Sequence, residues 1–194
     1  MERKHPTQPP KPGQVEKREF EYIRHGTVSL IANFCVATGQ VIAPSMGPTR
    51  TEEDFATHIR QTIGQDPHAQ WIFIVDQLNI HKSEALVRLV ADECQLTTDL
   101  GMKGKAGILH SMDTRAAFLA SETHRIRFVY IPKHTSWLNQ IEIWFSILVR
   151  RLLKRGSFTT VEQLSQRIMA FIDYFNQTMS HPLKWTYMGK LLVR

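Results

Sequence analysis

The sequence predicts an α/β domain, and three observations carry that prediction: an apolar hairpin near the start, then two short β-favouring runs, each followed by helical periodicity. At 194 residues and 42% hydrophobic content the chain can bury one sizeable core, so one domain is the default. No stretch approaches the roughly 20 apolar residues of a membrane helix, and the start, MERKHPTQPPKPG, lacks the charged-then-apolar order of a secretory signal. The expectation is a soluble, cytoplasmic protein.

Residues 1–22 form the first segment. Their first 17 hold Pro6, Pro9, Pro10 and Pro12 with almost no apolar side chains, and predict an extended connector. A domain over 23–178 follows, with 179–194 as a tail. SLIANFCVA (Ser29 to Ala37), the turn at Thr38-Gly39 and QVIAPSM predict a hairpin. Phe55, Ile59 and Ile63 recur every four residues behind Glu52, Glu53 and Asp54, so a helix should span Thr51 to Ile63. WIFIVD, ending on Asp76, is an unbroken apolar run, as expected of a central strand buried on both faces. Ser83 is placed to cap a helix carrying Leu86, Val87, Val90 and Cys94. Residues 97–124, with the flexible MKGKAG and a short helix in MDTRAAFLA, read as an insertion.

A second strand, RFVYI (Arg127 to Ile131), stops at Pro132, and a helix is predicted over Ser136 to Arg155. One of its faces carries Ile141, Phe145, Leu148 and Leu152, and another line carries Asn139, Glu142, Ser146 and Arg150. A last helix opens on Thr159-x-x-Glu162, a capping-box pattern, and continues through Leu164, Ile168, Phe171 and Phe175. Cys35 and Cys94 are too few for a disulfide framework or a four-cysteine zinc site and read as free core thiols.

Charge is uneven. Residues 125–194 hold eleven Lys and Arg against three acids, a balance of +8, so the first 124 residues carry −2 of the net +6. A basic C-terminal part suits a polyanion such as DNA, although a solvated helix face reads the same way. Asp76 ends a strand, where open α/β sheets place functional groups, but a lone Asp there is more often a turn cap. Glu142 lies in the first turns of a helix, where a carboxylate commonly answers the helix dipole. The Gly104-Lys105-x-Gly107 loop lacks the spacing of a P-loop.

Two blocks change that balance. VDQLNIHKS (Val75 to Ser83) and PKHTSWLNQIEIWFSILVRRLL (Pro132 to Leu153) resemble the D-N-x-x-H and S-x-x-L-N-x-I-E-x-x-W blocks of mariner-like DDE transposases, particularly their bacterial insertion-sequence (six-thirty) branch. YIRHGTVSL (Tyr22 to Leu30) and DYFNQTMSHPLKWTY look similar to that branch too. The resemblance implies an RNase H-like (DDE integrase/transposase) fold in which three carboxylates hold two Mg²⁺ or Mn²⁺ ions. Asp76 and Glu142 would be the second and third catalytic and metal-binding residues, with Asn139 and His81 in support. DNA, both element ends and target, would be the partner. Lys82, Lys133, Trp137, Arg150, Arg151, Lys154 and Arg155 are the candidate contacts, and Trp144 is expected in the core.

The first catalytic Asp of that family sits on a strand upstream of the proline-rich connector. The resemblance therefore implies a truncated fold lacking the first strand, with a gap between the hairpin and the Asp76 strand. Asp76 and Glu142 are separated by 65 residues, longer than usual for the wider mariner group, which the insertion explains. Three expectations stay open: an enzyme completed by its missing N-terminal part, a non-catalytic DNA-binding fragment that interferes with intact transposase, or an inactive remnant.

Overall fold

The structure is a computed structural model describing residues 2–5, 8–17, 21–133, 135 and 139–182. Strand β1 (Glu2–Arg3) pairs antiparallel with β2 (Tyr22–Ile23), and the bridges Gln8 to Lys17 and Lys11 to Gln14 lie between them. The proline-rich segment, expected to be extended, thus folds back on itself. Strands β3 (Ser29–Cys35) and β4 (Gln40–Gly47) form the antiparallel hairpin, with Gly39 at a φ of 73° in its turn and a register shift between Ile31 and Asn33.

Helix α1 (Glu52–Ile63) begins at Thr51, whose hydroxyl accepts the Asp54 N–H while the Asp54 carboxylate accepts the Thr51 N–H. Strand β5 (Trp71–Val75) follows, then a 3₁₀ turn (Asn79–Lys82) and α2 (Glu84–Glu93), capped by Ser83 as its sequence anticipates. Helix α3 (Met112–Leu119) precedes β6 (Ile126–Tyr130), which pairs parallel with β5. Helix α4 (Ile141–Leu148) passes into a π turn (Val149–Leu153), and α5 (Val161–Thr178) completes the order.

Two predicted helix starts move. Within the described residues the α4 helix begins at Ile141, and its far end widens where the Lys154 N–H reaches back five residues to the Val149 carbonyl. The α5 cap is Thr160 rather than Thr159. Its hydroxyl accepts the Gln163 N–H, while the Gln163 side chain returns to the Thr159 N–H, so Gln163 takes the part assigned to Glu162.

Two cores result. In the first, α1 and α2 pack on one face of β5 and β6, burying Ile59, Leu86, Val90, Phe128 and, from the region read as an insertion, Leu109 and Leu119. In the second, α4 and α5 pack on the hairpin around Trp144, Leu148, Ile168 and Ile172. Asn176 of α5 clasps the hairpin by accepting the Val41 N–H at 2.9 Å and donating to the Val41 carbonyl at 2.8 Å.

The β5 strand is not buried on both faces as its sequence implies. Phe73 and Val75 point into the first core, whereas Ile72 and Ile74 are 61% and 50% exposed beside Val129. Among the described residues β5 pairs only with β6 and β3 only with β4, so it is an edge strand and no ladder joins the two sheets. What joins them is α1, which contacts the hairpin on one side and α2 on the other. No described helix is long and apolar enough to cross a membrane.

Candidate active site

Asp76 leaves the C-terminal end of β5, where the chain turns away from the sheet. Its Oδ1 accepts the Leu78 N–H at 3.0 Å and lies 2.8 Å from His81 Nδ1, which is also 3.3 Å from the Asp76 carbonyl. Both neighbours of Nδ1 are acceptors, so Nδ1 carries the proton. Burial lowers the His81 pKa, with the Asp76 charge opposing that shift in part, so a neutral imidazole donates to the carboxylate. No described residue donates to Oδ2. The loop orients one oxygen and leaves the other available.

The turn that holds His81 is itself held. Tyr130 donates its hydroxyl to the His81 carbonyl at 2.8 Å, and burial raises its pKa so that the phenol stays a donor. Arg115, only 7% exposed, donates to the carbonyls of Lys82 at 2.7 Å and Leu109 at 3.0 Å. The next carbonyl along the turn is thereby fixed as well. Lys82 donates to Gln77 Oε1 at 2.6 Å and lies 4.9 Å from the Tyr130 ring centroid, while Gln77 donates to the Ile131 carbonyl at 2.7 Å. Residues 76–82 are thus tied to β6 and α3. Arg115 could not be singled out from the sequence, because a charged residue in a glycine- and lysine-rich stretch reads as solvated.

Glu142 is placed differently. It is exposed in the first turn of α4, with its N–H donating to the Asn139 carbonyl at 3.0 Å. Asn139 Oδ1 faces the Ile141 N–H at 3.4 Å, a weak helix-start contact. Along the predicted polar line the Ser146 hydroxyl donates to the Glu142 carbonyl and Arg150 Nε to the Ser146 carbonyl. Lys133, Arg151, Lys154 and Arg155 are exposed, and Trp137 lies outside the described residues. Trp144 is buried at 1% exposure, and its indole N–H has no hydrogen-bond partner among the described residues. Cys35 and Cys94 are free thiols and half-buried.

One cluster outside this site resembles a nucleophile with its base, and its hydrogen bonding argues otherwise. Thr62 donates to the His58 carbonyl, so its hydroxyl accepts one Asn33 N–H at 2.7 Å, and His58 Nε2 accepts the other at 2.8 Å. Nδ1–H must then donate to Ser45 Oγ at 2.9 Å. His58 cannot take the serine proton in this tautomer. The network instead fastens both hairpin strands to α1.

A model of the DDE superfamily endonuclease family matches residues 2–165. The chain belongs to that family. Comparisons with curated proteins and with solved structures find no match. Endonucleases of this superfamily act on DNA and usually use divalent metals. Asp76, with one oxygen oriented and one unengaged, and Glu142, exposed on a polar helix face, are donors of the kind hard cations take. Among the described residues no three His, Cys, Asp or Glu side chains converge on one metal position.

Proposed function

We propose that this DDE endonuclease domain is the catalytic part of a mariner-like transposase of the bacterial insertion-sequence branch, built on an RNase H-like sheet and working in the cytoplasm on nucleoid DNA. The observation that carries the reading is the Asp76 carboxylate, held by His81 and the Leu78 N–H through one oxygen with the other left unengaged. Asp76 and Glu142 would hold the Mg²⁺ or Mn²⁺ ions, which supply activation of an attacking hydroxyl and stabilisation of the departing phosphodiester oxygen. His81 keeps Asp76 in register. The edges of β3 and β5 that are open among the described residues support insertion of a further strand between them, bringing a third carboxylate and uniting both sheets.

The test is metal-dependent nicking of plasmid DNA by the native product, with DNA binding measured separately in EDTA. Asp76→Ala and Glu142→Ala should each lower cleavage by about a thousandfold while leaving binding intact. Equal loss of binding and cleavage would make both residues structural and sink the reading. A second reading, a non-catalytic DNA-binding protein that interferes with intact transposase, draws on the lack, among the described residues, of three His, Cys, Asp or Glu side chains converging on one metal position. It predicts salt-sensitive binding with no metal-dependent cleavage by the unsubstituted protein.

A further inference from the structure

The π turn after α4 does more than end a helix. The chain reverses through Lys154 to Gly156, where the Gly156 N–H donates to the Leu152 carbonyl at 2.9 Å, and the buried Phe158 ring lies directly against Gly156. A Cβ at Gly156 would collide with that ring, so the reversal requires glycine there. Between this turn and α5 opens a cleft of about 390 Å³. Arg151 and Arg155 approach it from the turn, Arg167 and Gln163 from α5, and among the described residues no carboxylate lines it. Gln163 Oε1 already accepts from the Thr159 N–H and hydroxyl, which leaves its amide N–H groups to donate into the cleft. Glu162, in the same helical turn, is not part of the lining.

Three guanidinium groups and a donor amide with no acid among them form an anion site, reinforced by the positive end of the α5 dipole. We propose that this cleft binds a backbone phosphate of DNA, outside the catalytic carboxylates. Arg151 follows Glu142 by nine residues, about two and a half helical turns, which puts it about 13 Å along the helix and on the opposite side. The cleft therefore does not hold the phosphate being cut. It grips DNA at a second place and adds Arg167, which charge alone in the sequence did not single out. This inference rests on the reading that the protein acts on DNA.

The experiment is fluorescence anisotropy of a labelled duplex with the full chain in EDTA, across a salt series. Arg167→Gln should weaken binding roughly tenfold and reduce the slope of log K against log salt by about 1, with Arg167→Lys in between. The exposed Arg50→Gln serves as a charge control elsewhere. Equal affinity and slope for the Arg167 and Arg50 variants would overturn the cleft as a DNA contact, while cleavage tests on Asp76 and Glu142 would be untouched. If the chain bound no duplex, the functional reading would fail too, and titrating pyrophosphate against the arginine Nε–H resonances would separate the cases. Shifts at Arg151, Arg155 and Arg167 that DNA does not compete away would assign a free phosphate ligand and overturn the DNA proposal.

Discussion

The core beneath Asp76 and the core behind Glu142 hold their carboxylates in different ways. Around Asp76, side chains from two elements, Tyr130 of β6 and Arg115 of α3, donate to backbone carbonyls of one short turn, and the buried residues beneath it, Leu86, Val87 and Phe128, are fully enclosed. Around Glu142, the helix is positioned by apolar packing on the hairpin, and no side chain among the described residues bonds to the carboxylate. In the proposed metal-binding role, the Asp76 carboxylate is set before any ligand arrives, and the Glu142 carboxylate is left to be ordered. For a reaction that needs both groups, the cost of ordering falls on the Glu142 side.

The largest effect that would break this contrast comes from Arg115. Arg115→Met leaves the Lys82 and Leu109 carbonyls without their donor, and should cost about 4 kcal/mol in urea unfolding. It should also weaken Mn²⁺ binding at Asp76, read by paramagnetic broadening of the His81 resonances. An unchanged Mn²⁺ affinity would show that the α3 tether is structural only.

Next comes the joint between the cores. Burial pushes the His58 pKa down to about 4 from its ordinary 6.5, because enclosure takes a charged imidazole out of solvent. Below about pH 6.5 the unfolded chain takes up a proton that the folded chain refuses until about pH 4. Stability is therefore full above that window and falls by about 3 kcal/mol across it. His81, also lowered by burial, adds in the same direction, so His58→Gln is the comparison. A variant with the same slope of urea midpoint against pH between 4 and 6.5 would remove His58 as the cause.

The smallest effect is expected at Trp144. Its ring fills the second core, but its buried N–H is unpaired, so Trp144→Phe exchanges lost apolar area for relief of that N–H. The change should stay within about 1.5 kcal/mol. A loss of more than about 3 kcal/mol would mean that the indole N–H has a partner on the folded protein, and that the second core is as tightly specified as the first.

Much of the fold is local and legible. Ser83 announces its helix because the cap and the N–H it serves lie three residues apart, and the hairpin turn is written in Thr38-Gly39. Asp76 stands out by its place at the end of an apolar run. In residues 97–124, read as an insertion, glycine and lysine mask Leu100, Ile108, Leu109 and Phe118, which pack on the first core. The unbroken run Trp71 to Val75 suggested a strand covered on both faces, and its composition does fit that, yet nothing described covers Ile72 or Ile74. Apolar composition records what a strand is suited to, not which neighbours are present.

By itself the sequence determined the hairpin, the two β-favouring runs and the main helices, the Ser83 cap, the separation of charge toward the C-terminal part and the family blocks around Asp76 and Glu142, since each depends on residues close along the chain. Only the tertiary structure decided which oxygen of Asp76 is free, that Arg115 and Tyr130 hold the turn beside it, that His58 joins the two cores, and that three arginines surround one cleft. Those outcomes depend on groups brought together from segments as far apart as Lys82 and Arg115 or Val41 and Asn176, whose meeting is settled by packing and hydrogen-bond satisfaction rather than by spacing.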